Sequence, residues 1–333
     1  MSLSIYPWQH AVWTRLTESR DRLPHALLLR GRKGIGKFEF AGALANSLLC
    51  TSPTSNGYAC GQCASCGWFA QGNHPDYRLL SPEQDVASDE DAPAPAKTGK
   101  KSQISVAQIR ELGSFLELSS HSSDGLRIVL IHPAEALNPA SANALLKVLE
   151  EPPKGVIFIL VTHQPHRLLP TIMSRCNKID MPVPERSDAI AWLEQQGVKD
   201  AAIRLDYAGG SPISAVADAE DSLQVLNSTW QMLSLGAKLD VFPLATLLAS
   251  IGMETAIHAI QKWIYDLMAC KQAGQVRYHS AQAGALQALS ERVDLGLLLD
   301  FQRKLDQAKK TAAHPLNNEL QLEALLLSYT RLF

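Results

Sequence analysis

Short, unbroken apolar runs in the first half of the chain alternate with longer segments whose apolar positions recur every three or four residues. A short apolar run bounded by turn residues is typical of a strand buried in a parallel sheet. Four runs are therefore predicted to be strands: residues 25–30, 76–80, 127–132 and 156–161. The periodic segments predict helices over residues 37–49, over residues 106–118, and from a cap at Asn138 or Ser141 through Leu149. This alternation predicts an α/β fold, a parallel sheet with helices on both faces.

The pattern changes after about residue 181, where strand-like runs stop and helical periodicity continues. A helix over residues 256–270, for example, would place four apolar side chains on one face: Ile257, Ile260, Ile264 and Leu267. A chain of 333 residues is long enough for two or three domains. We therefore predict an α/β domain over residues 1–181, a small helical lid over residues 182–222 and an all-α domain over residues 223–333.

The composition is that of a soluble globular protein without a general affinity for nucleic acid. Hydrophobic residues make up 46% of the chain and the formal net charge is −2, whereas non-specific DNA binding needs a basic surface. Residues 1–8 do not resemble a signal peptide and no apolar run is long enough for a bilayer, so we predict a cytoplasmic protein without a membrane partner. Residues 82–102 are rich in Pro, Ala, Asp and Glu and predict a disordered surface loop.

A glycine-rich turn between the first strand and the first helix has the spacing of a phosphate-binding loop. Gly31, Gly36 and Lys37 occupy the fixed positions of the pattern G-x-x-x-x-G-K, and Gly34 lies between them. In such a loop the backbone N–H groups and the helix N-terminus attract phosphate, and the lysine reaches the outer phosphates. The strand, loop and helix together indicate a P-loop fold.

The residues that would hold magnesium and activate water are missing. Phe38 stands where a Ser or Thr hydroxyl would bind magnesium. His132 and Pro133 stand where the second strand end would carry Asp-Glu, and Glu135 comes two residues later. We therefore expect a relic loop and no working ATPase, while passive binding of ATP or ADP through Lys37 stays open.

Four of the six cysteines lie in one short stretch with the spacing C-x9-C-x2-C-x2-C: Cys50, Cys60, Cys63 and Cys66. In a reducing compartment this cluster indicates a metal site before it indicates disulfides. Four thiolates complete a tetrahedral zinc site with no open position, so we predict structural Zn²⁺. Cys176 and Cys270 stand apart and are predicted to be buried small residues, and the histidines show no metal-type spacing.

Several stretches resemble the delta-prime family of bacterial clamp-loader subunits. They are Tyr6-Pro7-Trp8, residues 25–28, the four-cysteine insert, His74-Pro75-Asp76-Tyr77, residues 142–153 and Ser174-Arg175-Cys176. The run Leu-Leu-Lys-x-Leu-Glu-Glu-Pro-Pro and the Ser-Arg-Cys triplet are specific to clamp-loader AAA+ subunits, including the gamma/tau motor. The resemblance covers about the first half of the chain closely, and the second half only in length and character.

The resemblance implies an AAA+ module formed by the first two domains and a helical collar formed by the third. Such a chain joins the gamma/tau motor subunits and the delta subunit in a five-subunit ring of the DNA polymerase III holoenzyme. The ring places the sliding clamp on primed DNA. The resemblance also implies that Arg175 acts in trans, as an arginine finger on the nucleotide of a neighbouring motor subunit. An ordinary ion pair within its own domain is the alternative for Arg175.

Two other functions would require different residues. An active AAA+ ATPase of the gamma/tau type needs Ser or Thr at position 38, Asp-Glu at 132–133, and an arginine where Ile213 follows Gly210-Ser211. A zinc-dependent nucleic-acid-binding module unrelated to the ring needs a basic stripe, which the near-neutral charge does not provide. The sequence therefore favours a subunit that is not an enzyme by itself.

Overall fold

The computed structural model describes residues 5–82, 103–117, 125–217, 220–312 and 317–333. Apart from Pro82, the loop predicted to be disordered lies outside the described residues. The chain forms two compact units, Met1–Glu185 and Arg186–Phe333. The division falls close to the predicted end of the α/β domain at residue 181, and the three-domain division itself stays a prediction.

The first unit contains a five-stranded parallel sheet with the strand order β2-β3-β4-β1-β5. The strands are β1 (Ala26–Arg30), β2 (Tyr77–Leu80), β3 (Arg127–Ile131), β4 (Val156–Thr162) and β5 (Asn177–Asp180). All four predicted strands are confirmed. The sequence pattern did not predict β5, because this edge strand buries only Ile179 and has no apolar run to reveal it.

Six α-helices accompany the sheet in the described part of this unit. They are α1 (His10–Glu18), α2 (Lys37–Leu49), α3 (Ala64–Ala70), α4 (Val106–Glu117), α5 (Pro139–Glu150) and α6 (Pro170–Arg175). Asn138 caps α5, because its side-chain oxygen accepts a hydrogen bond from the Ser141 N–H at 2.8 Å, and Pro139 follows at the first helical position. The structure thus decides between the two predicted caps in favour of Asn138.

Alternate residues of β1 face opposite helical layers. Leu27 and Leu29 pack on the side that also buries Leu44 of α2, whereas Leu28 packs on the side that buries Leu145 of α5. Each of these five leucines is fully buried. Burial on both faces is what a strand flanked by parallel neighbours requires. The predicted sheet with helices on both faces is confirmed.

The second unit is helical throughout its described residues. Its helices are α7 (Arg186–Gln195), α8 (Ala201–Tyr207), α9 (Pro212–Ala217), α10 (Glu220–Leu233), α11 (Val241–Ser250), α12 (Met253–Ala273), α13 (Ala283–Arg292), α14 (Leu295–Thr311) and α15 (Asn318–Thr330). The predicted helix over residues 256–270 lies within α12. Among the described helices, none combines the length and apolar character needed to cross a membrane.

Two separate apolar clusters hold this unit together. A small cluster joins α7, α8 and α9 around Leu193 and Leu205. A larger cluster surrounds α12, where the buried Trp263 Nε1 donates to the Tyr329 hydroxyl at 2.9 Å. That hydroxyl in turn donates to the Leu233 carbonyl at 2.7 Å. The Trp263 indole N–H and the Tyr329 hydroxyl are therefore both hydrogen-bonded within the protein.

Candidate functional site

The phosphate-binding loop lies where the sequence predicted it, between the carboxyl end of β1 and the start of α2. Gly36 directly precedes α2 and has a φ of 84°, in the left-handed region that favours glycine. A Cβ atom at this position would lie 2.4 Å from the ring of Tyr6. Glycine is therefore required here both by the backbone conformation and by the closeness of the Tyr6 ring.

The ammonium group of Lys37 contacts its own loop. The side chain is only 2% exposed, and Nζ donates to the Gly31 carbonyl at 2.8 Å and also to the Arg32 carbonyl. Burial lowers the pKa of Lys37 to about 8, although the nearby Glu135 carboxylate opposes the shift. In this arrangement the ammonium group that was predicted to bind phosphate donates instead to backbone oxygens of the loop.

The segment of residues 6–9 covers the same loop from the N-terminal side. Gln9 Nε2 donates to the Ile35 carbonyl at 2.8 Å and to the Gly36 carbonyl at 2.9 Å. Trp8 Nε1 also donates to the Ile35 carbonyl, at 3.0 Å, and the Trp8 ring stacks on Tyr6 with 5.0 Å between centroids. Sequence reasoning noted Tyr6 and Trp8 only through the resemblance and missed Gln9, whose buried amide fixes the loop.

An aromatic cluster includes Phe38 and His132, the two positions at which the sequence pattern predicts magnesium ligands in an active loop. Phe38 stacks on His132 with 4.5 Å between ring centroids, and His132 meets His163 edge-on at 5.4 Å. The His163 backbone N–H donates to Glu135 Oε1 at 3.1 Å. The two histidines follow the carboxyl ends of β3 and β4, which are neighbouring strands, so the sheet brings together residues that showed no metal-type spacing in the sequence.

Burial keeps both histidines of this cluster neutral. It lowers the pKa of His132, and it lowers the pKa of His163 to about 4, with the positive charge of Lys37 adding to the effect at His163. The Nδ1 atoms of both rings are buried without a hydrogen-bond partner in the described structure. The cluster is thus an uncharged aromatic plug.

The four clustered cysteines converge as predicted. Their sulfur atoms all lie within 4.8 Å of one another, with 3.8 Å between Cys50 and Cys63 and 3.9 Å between Cys60 and Cys66. Metal–sulfur bonds of about 2.3 Å in a tetrahedron place sulfurs about 3.8 Å apart, whereas a disulfide needs about 2.0 Å. The residues therefore fit a four-coordinate metal ion.

Backbone N–H groups point at the sulfur atoms of this cluster. The Cys60 N–H donates to Cys50 Sγ and the Cys63 N–H donates to Cys60 Sγ, each at 3.3 Å. Burial opposes ionisation of Cys63, but hydrogen bonds from Thr51 and Cys66 lower its pKa to about 5. Burial raises the pKa of Cys66 to about 12. Four neighbouring thiolates would repel one another, and a bound cation would offset that repulsion.

Ser65 and His74 connect the cysteine cluster to the sheet. Ser65 Oγ donates to the Leu49 carbonyl at 2.7 Å and accepts from His74 Nε2 at 2.8 Å. The Asp76 N–H donates to His74 Nδ1 at 3.0 Å, immediately before β2 begins. This buried chain of hydrogen bonds joins the end of α2, the helix α3 and the start of β2. No spacing in the sequence marks it, because its members belong to three different elements.

Arg175 is the last residue of α6 and forms an ion pair within its own unit. Its Nη2 atom lies 2.5 Å from Glu150 Oε1, and Nη1 donates to the Thr171 carbonyl at 3.0 Å. About a third of the arginine side chain (35%) remains exposed, and half (50%) of Glu150. Sequence reasoning weighed an internal ion pair but did not identify Glu150, which is the last residue of α5.

Comparison with known families finds matches to both halves of the chain. The family model described as DNA polymerase III, delta subunit, matches residues 8–185. The model described as DNA polymerase III, delta subunit, C terminal, matches residues 218–331. Together the two models cover most of both structural units.

Curated relatives are described as DNA polymerase III subunit delta'. The chain is similar to the DNA polymerase III subunit delta' of Yersinia pestis, with 32% identity over 97% of this chain and 95% of that protein. It is 40% identical to the Pseudomonas aeruginosa subunit delta' over 63% of this chain, and 34% identical to that of Escherichia coli over 64%; each alignment spans 60% of the relative's length. Among solved structures, a gamma-subunit-related protein of Thermotoga maritima aligns with 97% of this chain and 99% of its own at 18% identity, with a TM-score of only 0.41.

The aromatic plug predicts how stability responds to acid. The pKa of His163 is lowered on folding, so the unfolded chain binds more protons between its usual value near 6.5 and about 4. The free energy of unfolding should therefore fall as the pH drops through this window and gain nothing from this group above it. When urea unfolding is measured at pH 7 and at pH 5, the free energy of unfolding should decrease less in His163→Gln than in the wild type. In His166→Gln, a change at an exposed histidine, the free energy of unfolding should decrease by as much as in the wild type. Equal losses in all three proteins would contradict the assignment.

Proposed function

Since the chain belongs to the DNA polymerase III subunit delta' family, we propose that it is a clamp-loader subunit that does not hydrolyse ATP. In this role it supplies an arginine to the active site of a neighbouring motor subunit. Its partners are the gamma/tau motor subunits and the delta subunit in a five-subunit ring, and it meets the sliding clamp and primed DNA through that complex. The proposal rests on the family membership and on the geometry of the degenerate loop.

The single observation that carries the non-hydrolysing role is the stacking of Phe38 on His132. In a working site these two positions supply the magnesium ligands, one from the loop and one from the end of β3. Here two aromatic rings occupy them, and neither the phenyl ring nor the neutral, buried imidazole offers the oxygen ligands that magnesium prefers. The stacked rings therefore support the proposal that ATP hydrolysis is lost because both magnesium ligands are replaced.

Glu135 does not restore the missing water activation. One of its carboxylate oxygens accepts the His163 backbone N–H at 3.1 Å, and the other is buried without a partner in the described structure. Its negative charge attracts the buried Lys37 ammonium and so raises the pKa of that group, against the effect of burial. We infer that Glu135 balances the buried ammonium and does not serve as a general base.

We further propose that the cysteine cluster holds one structural Zn²⁺. The sulfur separations fit tetrahedral coordination, and four protein ligands leave no position for substrate. The insert between α2 and β2 has little apolar core of its own, so metal binding would supply local folding energy.

Arg175 is proposed as the group that acts in trans. It lies at the exposed end of α6, where a guanidinium can reach beyond its own unit. A planar guanidinium placed on a transferring phosphoryl group stabilises its charge, an effect of about 10³-fold or more in related phosphoryl-transfer enzymes. This role explains why a chain with a degenerate loop keeps an arginine at this place.

Glu150 must release Arg175, or share it, before the guanidinium can grip phosphate in this way. The pair is half-exposed, so its strength is no more than about 1 kcal/mol. Binding to a phosphate of a neighbouring subunit can exceed that contribution, because bidentate bonds to phosphate are charge-assisted. We therefore propose that Glu150 holds the arginine in a defined position in the free chain and competes weakly with its target.

The degenerate loop predicts that the purified chain releases no phosphate from ATP above background, with or without magnesium. Phe38→Thr alone should not create activity, because His132 and Pro133 remain at the second ligand positions. The measurement is phosphate release by the isolated subunit, with Lys37→Ala as the control for contaminating activity. Magnesium-dependent turnover by the wild type that disappears in Lys37→Ala would overturn the prediction.

The zinc proposal predicts one zinc per chain by elemental analysis of protein purified without added metal. Cys63→Ser should lose the metal and make the insert sensitive to limited proteolysis, while circular dichroism still reports the folded sheet and helices. Cys270→Ser is the matched control, because Cys270 is buried in α12 outside the cluster. Zinc-free wild-type protein, or full zinc content in Cys63→Ser, would show that these four cysteines do not form a zinc site.

The role of Arg175 is tested in the reconstituted complex. Arg175→Ala and Arg175→Lys should both assemble normally but lower the clamp- and DNA-stimulated ATPase, because lysine lacks the planar fork. Glu150→Gln, which removes only the competing charge, should hydrolyse ATP at least as fast as the wild type. Arg303→Ala serves as control, since Arg303 pairs with Asp300 on the surface of α14. Wild-type rates in Arg175→Ala would rule out action in trans.

A further inference from the structure

The four clustered cysteines come from two parts of the chain that are separate in sequence. Cys60 and Cys63 belong to one tight turn, in which the Cys63 N–H donates to Cys60 Sγ at 3.3 Å. Cys63 also caps α3, which carries Cys66. Cys50 directly follows α2 and lies ten positions before Cys60. The turn and α3 therefore position three sulfur atoms locally, whereas the position of Cys50 depends on longer-range contacts.

One such contact is made by the Ser65 hydroxyl. It donates to the Leu49 carbonyl at 2.7 Å, across 16 positions of the chain. Leu49 immediately precedes Cys50, and Ser65 immediately precedes Cys66. This hydrogen bond therefore joins the backbone beside the first cysteine to the helix that carries the fourth. Ser65 is buried, so water competes little for the bond.

The neighbours of His74 fix the direction of its hydrogen bonds. The Asp76 N–H donates to His74 Nδ1 at 3.0 Å, so Nδ1 carries a lone pair. Burial lowers the pKa of His74, although the Asp76 charge opposes the shift, and the ring is neutral near pH 7. The ring proton is then on Nε2, which lies 2.8 Å from Ser65 Oγ. Because the imidazole donates to the hydroxyl oxygen, the hydroxyl directs its own proton to Leu49.

We propose that Ser65 and His74 are positioning residues for the metal ion at the cysteine cluster. His74 orients the Ser65 hydroxyl, and the hydroxyl holds Cys50 in place relative to Cys66 before the metal binds. Outer partners that hold ligands in place typically change metal affinity by about 10–100-fold. This role rests on the proposed zinc site, so its test must separate failure of the site from failure of the two positioning residues.

A purely structural role for His74 is the alternative, because this residue also lies at the start of β2. The His74 carbonyl accepts the Tyr77 N–H at 3.2 Å, and the Asp76 carbonyl accepts the Ile128 N–H of β3 at 2.9 Å. In the structural role the important ring atom is Nδ1, which accepts the Asp76 N–H. In the positioning role it is Nε2, which donates to Ser65. Substitutions that keep only one of these two atoms therefore distinguish the roles.

The first test uses the full-length chain, freed of metal under reducing conditions and titrated with Co²⁺ as a coloured probe. Ser65→Ala should raise the Co²⁺ concentration at half-saturation about tenfold or more, and it should shift the d–d absorption bands because Cys50 is held less firmly. Ser290→Ala, which removes another buried hydroxyl in α13, should change neither. A wild type that binds no Co²⁺ would remove the metal site and the positioning role together. Wild-type affinity and spectrum in Ser65→Ala would overturn the positioning role alone.

The second test compares two amide side chains at position 74. In His74→Gln the longer amide can place an N–H near the Nε2 position and keep the donor to Ser65, but it leaves no acceptor at Nδ1. In His74→Asn the shorter amide can accept the Asp76 N–H, but it does not reach Ser65. We expect Co²⁺ affinity close to the wild type in His74→Gln and about tenfold or more weaker in His74→Asn. Equal affinities, or the opposite order, would show that His74 only anchors β2 and would overturn the proposal.

The third test uses the reciprocity of coupling, since residues that favour metal binding must themselves be favoured by the metal. Saturating Zn²⁺ should slow hydrogen exchange of the Asp76 amide, which donates to His74. In Ser65→Ala the same Zn²⁺ saturation should have little effect on this amide, because the connection from the cysteines to the ring is broken. The His279 amide, which donates to the buried Asp266 carboxylate in the second unit, is the internal control. Equal Asp76 exchange with and without Zn²⁺ in the wild type would refute the coupling.

Discussion

The parallel pairing of β1 with β4 on one side and β5 on the other is the constraint on which the first unit depends. β1 is buried between its neighbours, so its backbone groups are satisfied only if both strands are in register. That register fixes where the carboxyl ends lie. The phosphate-binding loop leaves the end of β1, and the turn that carries His163 leaves the end of β4. Arg175 is held at the other end of the sheet, two residues before β5 begins.

Several parts of this arrangement could be predicted because a local pattern encodes them. Buried strands show as apolar runs, the loop shows as glycines at fixed spacing, and the cysteines are close in sequence. The remaining features depend on contacts between distant elements. No sequence pattern near Phe38 predicts its stacking on His132, and none near Arg175 predicts its ion pair with Glu150. The edge strand β5 was missed for a related reason, since one buried residue, Ile179, leaves no periodic signal.

The phosphate-binding loop shows how a polar site can stay ordered through partners within the protein. A buried ammonium and a buried carboxylate are costly unless each finds partners. Lys37 finds the carbonyls of Gly31 and Arg32, and Glu135 finds the His163 N–H. The rings of Phe38 and His132 occupy the remaining space by stacking. Lys37 and one Glu135 oxygen thus find partners within the protein, while the buried Nδ1 atoms of His132 and His163 have none in the described structure.

The two outer strands of the sheet have a consequence for the behaviour of the protein in concentrated solution. An exposed strand edge is a template for pairing with another chain, and natural proteins limit this risk with short edges and charged side chains. β2 has four residues, and its exposed Arg78 places its guanidinium over the ring of Phe115, 4.7 Å from the centroid. β5 also has four residues, and it exposes Lys178 and Asp180. Both edges therefore disfavour strand addition, so this sheet should resist edge-to-edge aggregation even when the subunit is free of its assembly.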